Sequence, residues 1–167
     1  MRAPAVYGPG DRETLAYFKA VARGLAPRPK MADARLSLIH VADLAEALAL
    51  SLDRPPPPST YEIDDGHDGG YSYRDMADAA GRALDRKPLS LAVPRPVMAA
   101  VARLNVIGQS LGGSVQILTP PKVDEIFHRD WTAHDRRLAA ALGWRPRFDL
   151  ATGFGETILW YRRQGWL

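Results

Sequence analysis

Cysteine is absent from all 167 residues of this chain, which excludes disulfide bonds and cysteine-ligated zinc and makes a reducing compartment, the cytoplasm, the expected location. No apolar run approaches the ~18 residues that a membrane-crossing helix requires and no signal-peptide pattern opens the sequence, so no membrane partner is expected. Charge of one sign is scarce too: 22 Lys and Arg stand against 19 Asp and Glu, a net charge of +3. These cations are interleaved with acids and carry no stacking aromatics among them, so no nucleic-acid partner is expected. Internal repeats are missing, and low complexity is confined to Pro55 to Pro58. What is present, at 46% apolar content, is enough chain for one core, since single domains run roughly 50 to 250 residues.

The stretch Arg2-Ala-Pro-Ala-Val-Tyr-Gly-Pro-Gly10 is the most informative. Val6 and Tyr7 suit a strand, and Gly8-Pro9-Gly10 makes a tight turn in which glycine permits positive φ or close approach of backbone to a ligand. Asp11 follows as the cap of a helix whose apolar residues Leu15, Phe18, Val21, Ala22 and Leu25 recur at helical spacing. A strand, an open turn and a helix N-terminus form a ligand-binding corner of an α/β sheet.

Further along, residues 26–34 read as a polar, proline-containing loop before a strand at Arg35 to Ile39. Asp43 with Glu46 reads as a capping box opening a helix that ends near Asp53. The four prolines lie extended, a strand spans Thr60 to Ile63, and the Asp64 to Gly70 segment turns the chain. Ser72 with Asp75 starts another helix. Leu89 to Val93 is a short strand, after which Pro94 and Pro96 open a helix with Val97, Met98, Val101 and Leu104 on one face. Thr119-Pro-Pro starts a short helix with Val123, Ile126 and Phe127 inward. Thr132 with Asp135 forms another capping box, Gly143 ends that helix, and Asp149 caps the last one.

Several side chains invite chemistry. His40 titrates near neutrality, but the expected role is structural, an imidazole bonded to backbone beside Asp43. Asp64, Asp65, His67 and Asp68 lack the spacing of a hard-cation loop with a distal bidentate Glu, and Asx-turn chemistry accounts for them. His128, Asp130, Trp131 and His134 likewise match no ligand spacing, so no metal is expected. Trp131 is expected to pack over a small domain or a substrate mouth, and Trp144, Trp160 and Trp166 are expected in the core or at a subunit contact.

Three segments in order, Arg2 to Gly10, Leu38-Ile-His-Val-Ala-Asp-Leu-Ala45, and Leu142-Gly-Trp-x-Pro through Gly153, Thr157, Trp160, Tyr161, Gly165 and Trp166, resemble the later half of the extended short-chain dehydrogenase/reductase superfamily, the NAD-dependent epimerase/dehydratase family. The resemblance implies an α/β fold, the C-terminal part of a Rossmann-type enzyme, mainly helical with a few short strands. It implies NAD or NADP in the full-length protein, backbone at Pro4, Ala5 and Val6 against the nicotinamide, and a small-molecule substrate bounded by Tyr7 and Gly8. Nucleotide-sugar epimerases that the chain resembles carry a phosphate-holding arginine where this sequence has Leu36. Arg35 sits one residue earlier, on the opposite strand face, with Arg12 as a substitute cation, so the expectation turns from a nucleotide-diphosphate sugar to a less charged substrate such as a sugar lactone, a sterol-like alcohol or a quinone-type molecule.

What the family places upstream is not in this sequence. No Gly-x-x-Gly-x-x-Gly follows a strand, the three glycines from Gly108 to Gly113 having the wrong spacing, and no tyrosine has a lysine four residues on. The expectation is therefore one truncated substrate-binding unit over residues 1–167, without catalytic residues of its own and with no cofactor bound. Its uncovered strands at Ala3 to Tyr7 and Arg35 to Ile39 would drive self-association. The alternative is a non-catalytic scaffold or binding module derived from the same fold.

Overall fold

Asp11 sets the start of the first helix: its carboxylate accepts from the backbone N–H of Glu13 at 2.7 Å and of Thr14 at 3.1 Å, satisfying donors that a helix leaves without internal partners. The computed structural model describes residues 1–110 and 118–167, with backbone alone at 108–110. Gly112 and Gly113 lie outside the described residues. The order is β1 (Ala5–Tyr7), α1 (Glu13–Ala22), β2 (Leu25–Pro29), β3 (Arg35–Leu36), β4 (Leu38–His40), α2 (Val41–Asp53), β5 (Tyr71–Ser72), α3 (Tyr73–Leu84), β6 (Leu89–Val93), α4 (Arg95–Ser110), α5 (Pro120–Ile126), β7 (Asp130–Trp131), α6 (Arg137–Leu142) and α7 (Leu150–Arg163). The chain is thus mainly helical with a few short strands, and the described strands form three small sheets: β1 with β4, β2 with β6, and β5-β3-β7.

Residues 26–34, expected as loop, begin with a strand instead. Leu25 to Pro29 runs parallel to Leu89 to Val93 in register, so Leu25 belongs to this strand and not to α1. Two prolines are tolerated because the Lys30 N–H donates to Val93 O. By alternation the nitrogens of Pro27 and Pro29 then lie on the edge away from β6, where no donor is needed.

The expected strand at Arg35 to Ile39 is broken at Ser37. Arg35 and Leu36 pair with β5 on one side and β7 on the other, whereas Leu38 to His40 pairs with β1. Ser37 is buried and ties the two halves, its N–H donating to Trp131 O and its Oγ to Asp64. Thr60 to Ile63 makes only a bridge between Glu62 and Arg2, too short for a named strand.

Both faces of β4 are buried, which explains its unbroken apolar run. Leu38 joins a core of Tyr7, Phe18, Val21, Leu84, Phe154, Ile158 and Tyr161 under α1, α3 and α7. Ile39, one residue on and so on the opposite face, joins a second core with Ala47, Tyr61, Leu138, Leu142 and Trp144. Trp144 is therefore a core residue, while Trp160 and Trp166 pack partly buried against the first core.

Capping follows the sequence at α3, where Ser72 and Asp75 form a reciprocal box, and at α7, where Asp149 and Thr152 do the same. Gly143 closes α6 in the left-handed conformation, φ 61°. Two boxes do not form. Asp135 caps α6 alone, accepting from Arg137 N at 2.9 Å, because the Thr132 hydroxyl is taken by Asp130 and His134. Asp43 does not cap α2: His40 does, its Nδ1 accepting from Ala42 N. Asp43 lies fully buried inside the helix and accepts instead from the backbone N–H groups of Arg147 and Phe148.

Candidate functional site

The corner after β1 is built around Gly8. Its φ is 147°, and a Cβ there would meet Val41 and lie 3.1 Å from His40 Nε2, so only glycine fits. The Tyr7 side chain turns away from this corner into the core: it is 1% exposed, edge-on to His40 and Phe154, and its hydroxyl donates weakly to Asp149 O at 3.4 Å. Burial, with the carboxylates around it adding, raises the Tyr7 pKa, and the phenol stays protonated. Ala5 and Val6 are exposed and Pro4 half-buried. The second edge of β1 carries no strand among the described residues.

His40 caps α2 through Nδ1, which leaves the proton on Nε2 in the neutral ring. Glu156 lies 3.0 Å from that nitrogen, off the N–H line, since Nε2 makes no hydrogen bond. Phe148 covers the ring face at 4.1 Å. Burial is the largest influence and lowers the His40 pKa from 6.5, against the pull of Glu156 and Asp43. A base whose folded pKa is depressed is protonated first in the unfolded chain, so stability should fall as pH drops from about 6.5 toward the lower folded value and be insensitive above it. Denaturant titrations between about pH 7.5 and 5 measure this slope. His40→Gln should cost about 1 to 3 kcal/mol and flatten it; a variant that unfolds like the parent would make the capping role wrong.

A cavity of about 500 Å³ opens between β2, β3 and the start of α3, next to β6. Arg28, Arg35 and Arg74 line it with Asp33, Asp78 and Tyr73, and Pro29, Met31, Ala34 and Ala77 give it apolar wall. Arg35 is held by donation to Gly70 O at 3.2 Å, and Arg28 Nε donates to Ser90 Oγ at 3.0 Å. Arg74 has no ion-pair partner among the described residues. Three guanidinium groups against two carboxylates leave the wall net positive.

Of the residues singled out in the sequence, Arg35 lines this cavity, while Tyr7, Gly8 and Arg12 do not. Arg12 lies over the Trp166 ring, 5.0 Å from its centroid. Leu36 packs against the core, so the strand turns Arg35 outward, as alternation requires. Arg28, Tyr73 and Arg74 were missed. Arg28 was hidden by reading its segment as loop; Tyr73 and Arg74 follow a correctly read cap, and the pairing of Arg35 with Ser72 across β3 and β5 makes them its neighbours.

The aspartate-rich turn has a structural account. Asp64 accepts from Ser37 Oγ and Gly66 N and pairs with Arg136, and Asp65 accepts from His67 N at 3.1 Å. These are Asx turns. Trp131 is half exposed, its indole N–H donating to Glu125 O at 2.9 Å.

No protein-family model matches the chain. A ceramide reductase of Caulobacter vibrioides is 32% identical over 167 residues, which are 100% of this chain and 52% of that protein. A human epimerase family protein solved with NADPH superposes with a TM-score of 0.70 at 17% identity, over 93% of this chain and 46% of its own. dTDP-glucose 4,6-dehydratase of Bacillus anthracis, solved with NAD, gives 0.64 at 17% identity, over 99% of this chain and 44% of its own. The chain spans about half the length of the proteins it matches. Its fold is shared with about half of each of these epimerase and dehydratase structures.

Proposed function

We propose that this chain is the substrate-binding portion of an NAD(P)-dependent oxidoreductase, a single unit over residues 1–167 that acts with a dinucleotide-binding half, and that its substrate is a carbonyl-bearing lipid of the ceramide class. The cavity between β2, β3 and α3 carries this reading. Its guanidinium groups suit the oxygens of a polar head group, and its apolar wall suits the start of a hydrocarbon chain. The likeness to a ceramide reductase along the whole chain supports the lipid class. Lack of a cation at Leu36 weighs against a nucleotide-diphosphate sugar.

The residues near β1 fit a cofactor face. Ala5 and Val6 are exposed on a strand with a free edge, so Pro4, Ala5 and Val6 would lie along the nicotinamide, and the Gly8-Pro9-Gly10 turn would bound the reacting carbon. The nicotinamide supplies the hydride when bound. Tyr7 supplies no proton here, because its hydroxyl is buried and its pKa raised; its part is to anchor the turn.

Taken alone the chain lacks a pyrophosphate cradle and a tyrosine–lysine pair, so calorimetric titration with NAD(H) or NADP(H) should give no binding in the low-micromolar range. In the longer enzyme, Arg35→Ala and Arg74→Ala should each raise KM for a keto-lipid about tenfold to a hundredfold, the worth of a lost charged hydrogen bond, with kcat less affected. Tight cofactor binding by this chain, or an unchanged KM in both variants, would refute the assignment.

A further inference from the structure

One segment combines two properties that the rest of the molecule does not. From Arg86 to Val123 there is no Asp or Glu, while Arg86, Lys87, Arg95, Arg103 and Lys122 fall within it, so this stretch carries more than the whole net charge of +3 and the remainder is net acidic. Lys122 and Arg95 are paired, with Glu13 and Asp124. Lys87 and Arg103 are exposed and have no ion-pair partner among the described residues.

Among its described residues this segment turns several large apolar side chains outward. In α4 the side packed on the molecule is made by Ala102, fully buried, with Met98 and Ala99. Val97, Val101 and Leu104, at i, i+4 and i+7, form the opposite stripe and are 52%, 44% and 66% exposed. The sequence reading put Met98 on one face with these three, but the structure places Met98 on the packed side, partly covered, and leaves the other three outward. In β6 the cavity side is given by Ser90, beside Arg28 of β2. By alternation Leu89 and Leu91 point to the other side, with Leu25 of β2 in register beside Leu89, and all three are exposed. The apolar surface of this sheet therefore faces away from the substrate cavity.

We propose that the exposed stripe of α4 docks onto the surface of an anionic lipid bilayer. An apolar stripe on a helix that carries cations, Arg103 among them unpaired among the described residues, and no carboxylate is the pattern of a helix lying in the plane of a membrane interface. It differs from a spanning segment, and no described helix is long and apolar enough to cross a membrane. Two copies of this chain facing each other through the surface would set the same cations against themselves, which disfavours the second copy as occupant. The inference rests on exposure and charge and stands whether or not the substrate is a lipid.

Vesicle flotation with the whole chain tests it. Vesicles containing phosphatidylglycerol should bind about tenfold or more tightly than pure phosphatidylcholine, with the advantage lost in high salt. The triple variant Val97→Asp, Val101→Asp, Leu104→Asp should lose binding about tenfold while melting like the parent, because these positions are exposed. Lys87→Gln with Arg103→Gln should lose the preference for anionic lipid and keep the fold. Absence of flotation, or a triple variant that floats as the parent does, overturns the proposal. So does light scattering in which the aspartates dissolve an oligomer that never binds vesicles, or duplex DNA binding that persists in the triple variant without any vesicle binding.

Discussion

Replacing Asp43 with alanine is expected to destabilise the protein by about 3 kcal/mol, a fall of roughly 6 to 12 °C in Tm for a chain of this size. The carboxylate is fully buried and accepts from Arg147 N at 3.1 Å and Phe148 N at 3.0 Å, with the Arg147 guanidinium 3.6 Å away. Alanine leaves both amides without an acceptor on the chain leading into α7, and an unsatisfied buried donor costs more than a hydrogen bond yields. Asp43→Asn, which keeps one acceptor oxygen, should fall between the two. Thermal melting followed by circular dichroism is the measurement. A loss below about 2 °C in Asp43→Ala would mean that residues 147–148 are held by something other than this carboxylate.

Gly153→Ala is expected to be nearly as damaging, at about 1 to 3 kcal/mol, the usual cost of overpacking a tight core. Gly153 lies inside α7, where glycine ordinarily weakens a helix. Here an added Cβ would overlap the Tyr7 hydroxyl and stand 2.9 Å from Cζ. The Tyr7 ring is nine-tenths or more buried between Phe154 and His40 and cannot swing aside. Tyr7→Phe removes the oxygen but not Cζ, so the double variant should recover part of the loss. A double-mutant cycle reports this coupling; additive effects would show that the two residues do not meet.

Helix starts were legible where a capping side chain bonds within its own helix. Asp11, Ser72 and Asp149 were read correctly because their partners lie within three residues. Asp43 was misread for the opposite reason: its partners are more than a hundred residues away, and its spacing from Glu46 imitates a capping box. The strand at Arg35 to Ile39 was legible as extended chain but not as two strands, since the break at Ser37 comes from Asp64 and Trp131, neither of them near in sequence. The helix after Pro94 was legible too, and its apolar period gave the stripe without saying which side would be covered.

Periodicity and local caps by themselves determined the order of most helices and the position of the Gly8 turn, and three motif segments carried the resemblance that implied the fold class, because each rests on residues close in the chain. Tertiary structure alone decided that Arg28, Arg35 and Arg74 share one cavity, that the Tyr7 ring faces the core, and that α4 buries Ala102 while exposing Val97, Val101 and Leu104. Those outcomes depend on which surfaces meet, and pairing of distant segments such as β2 with β6 follows from the sum of packing over the whole chain, which no local window contains.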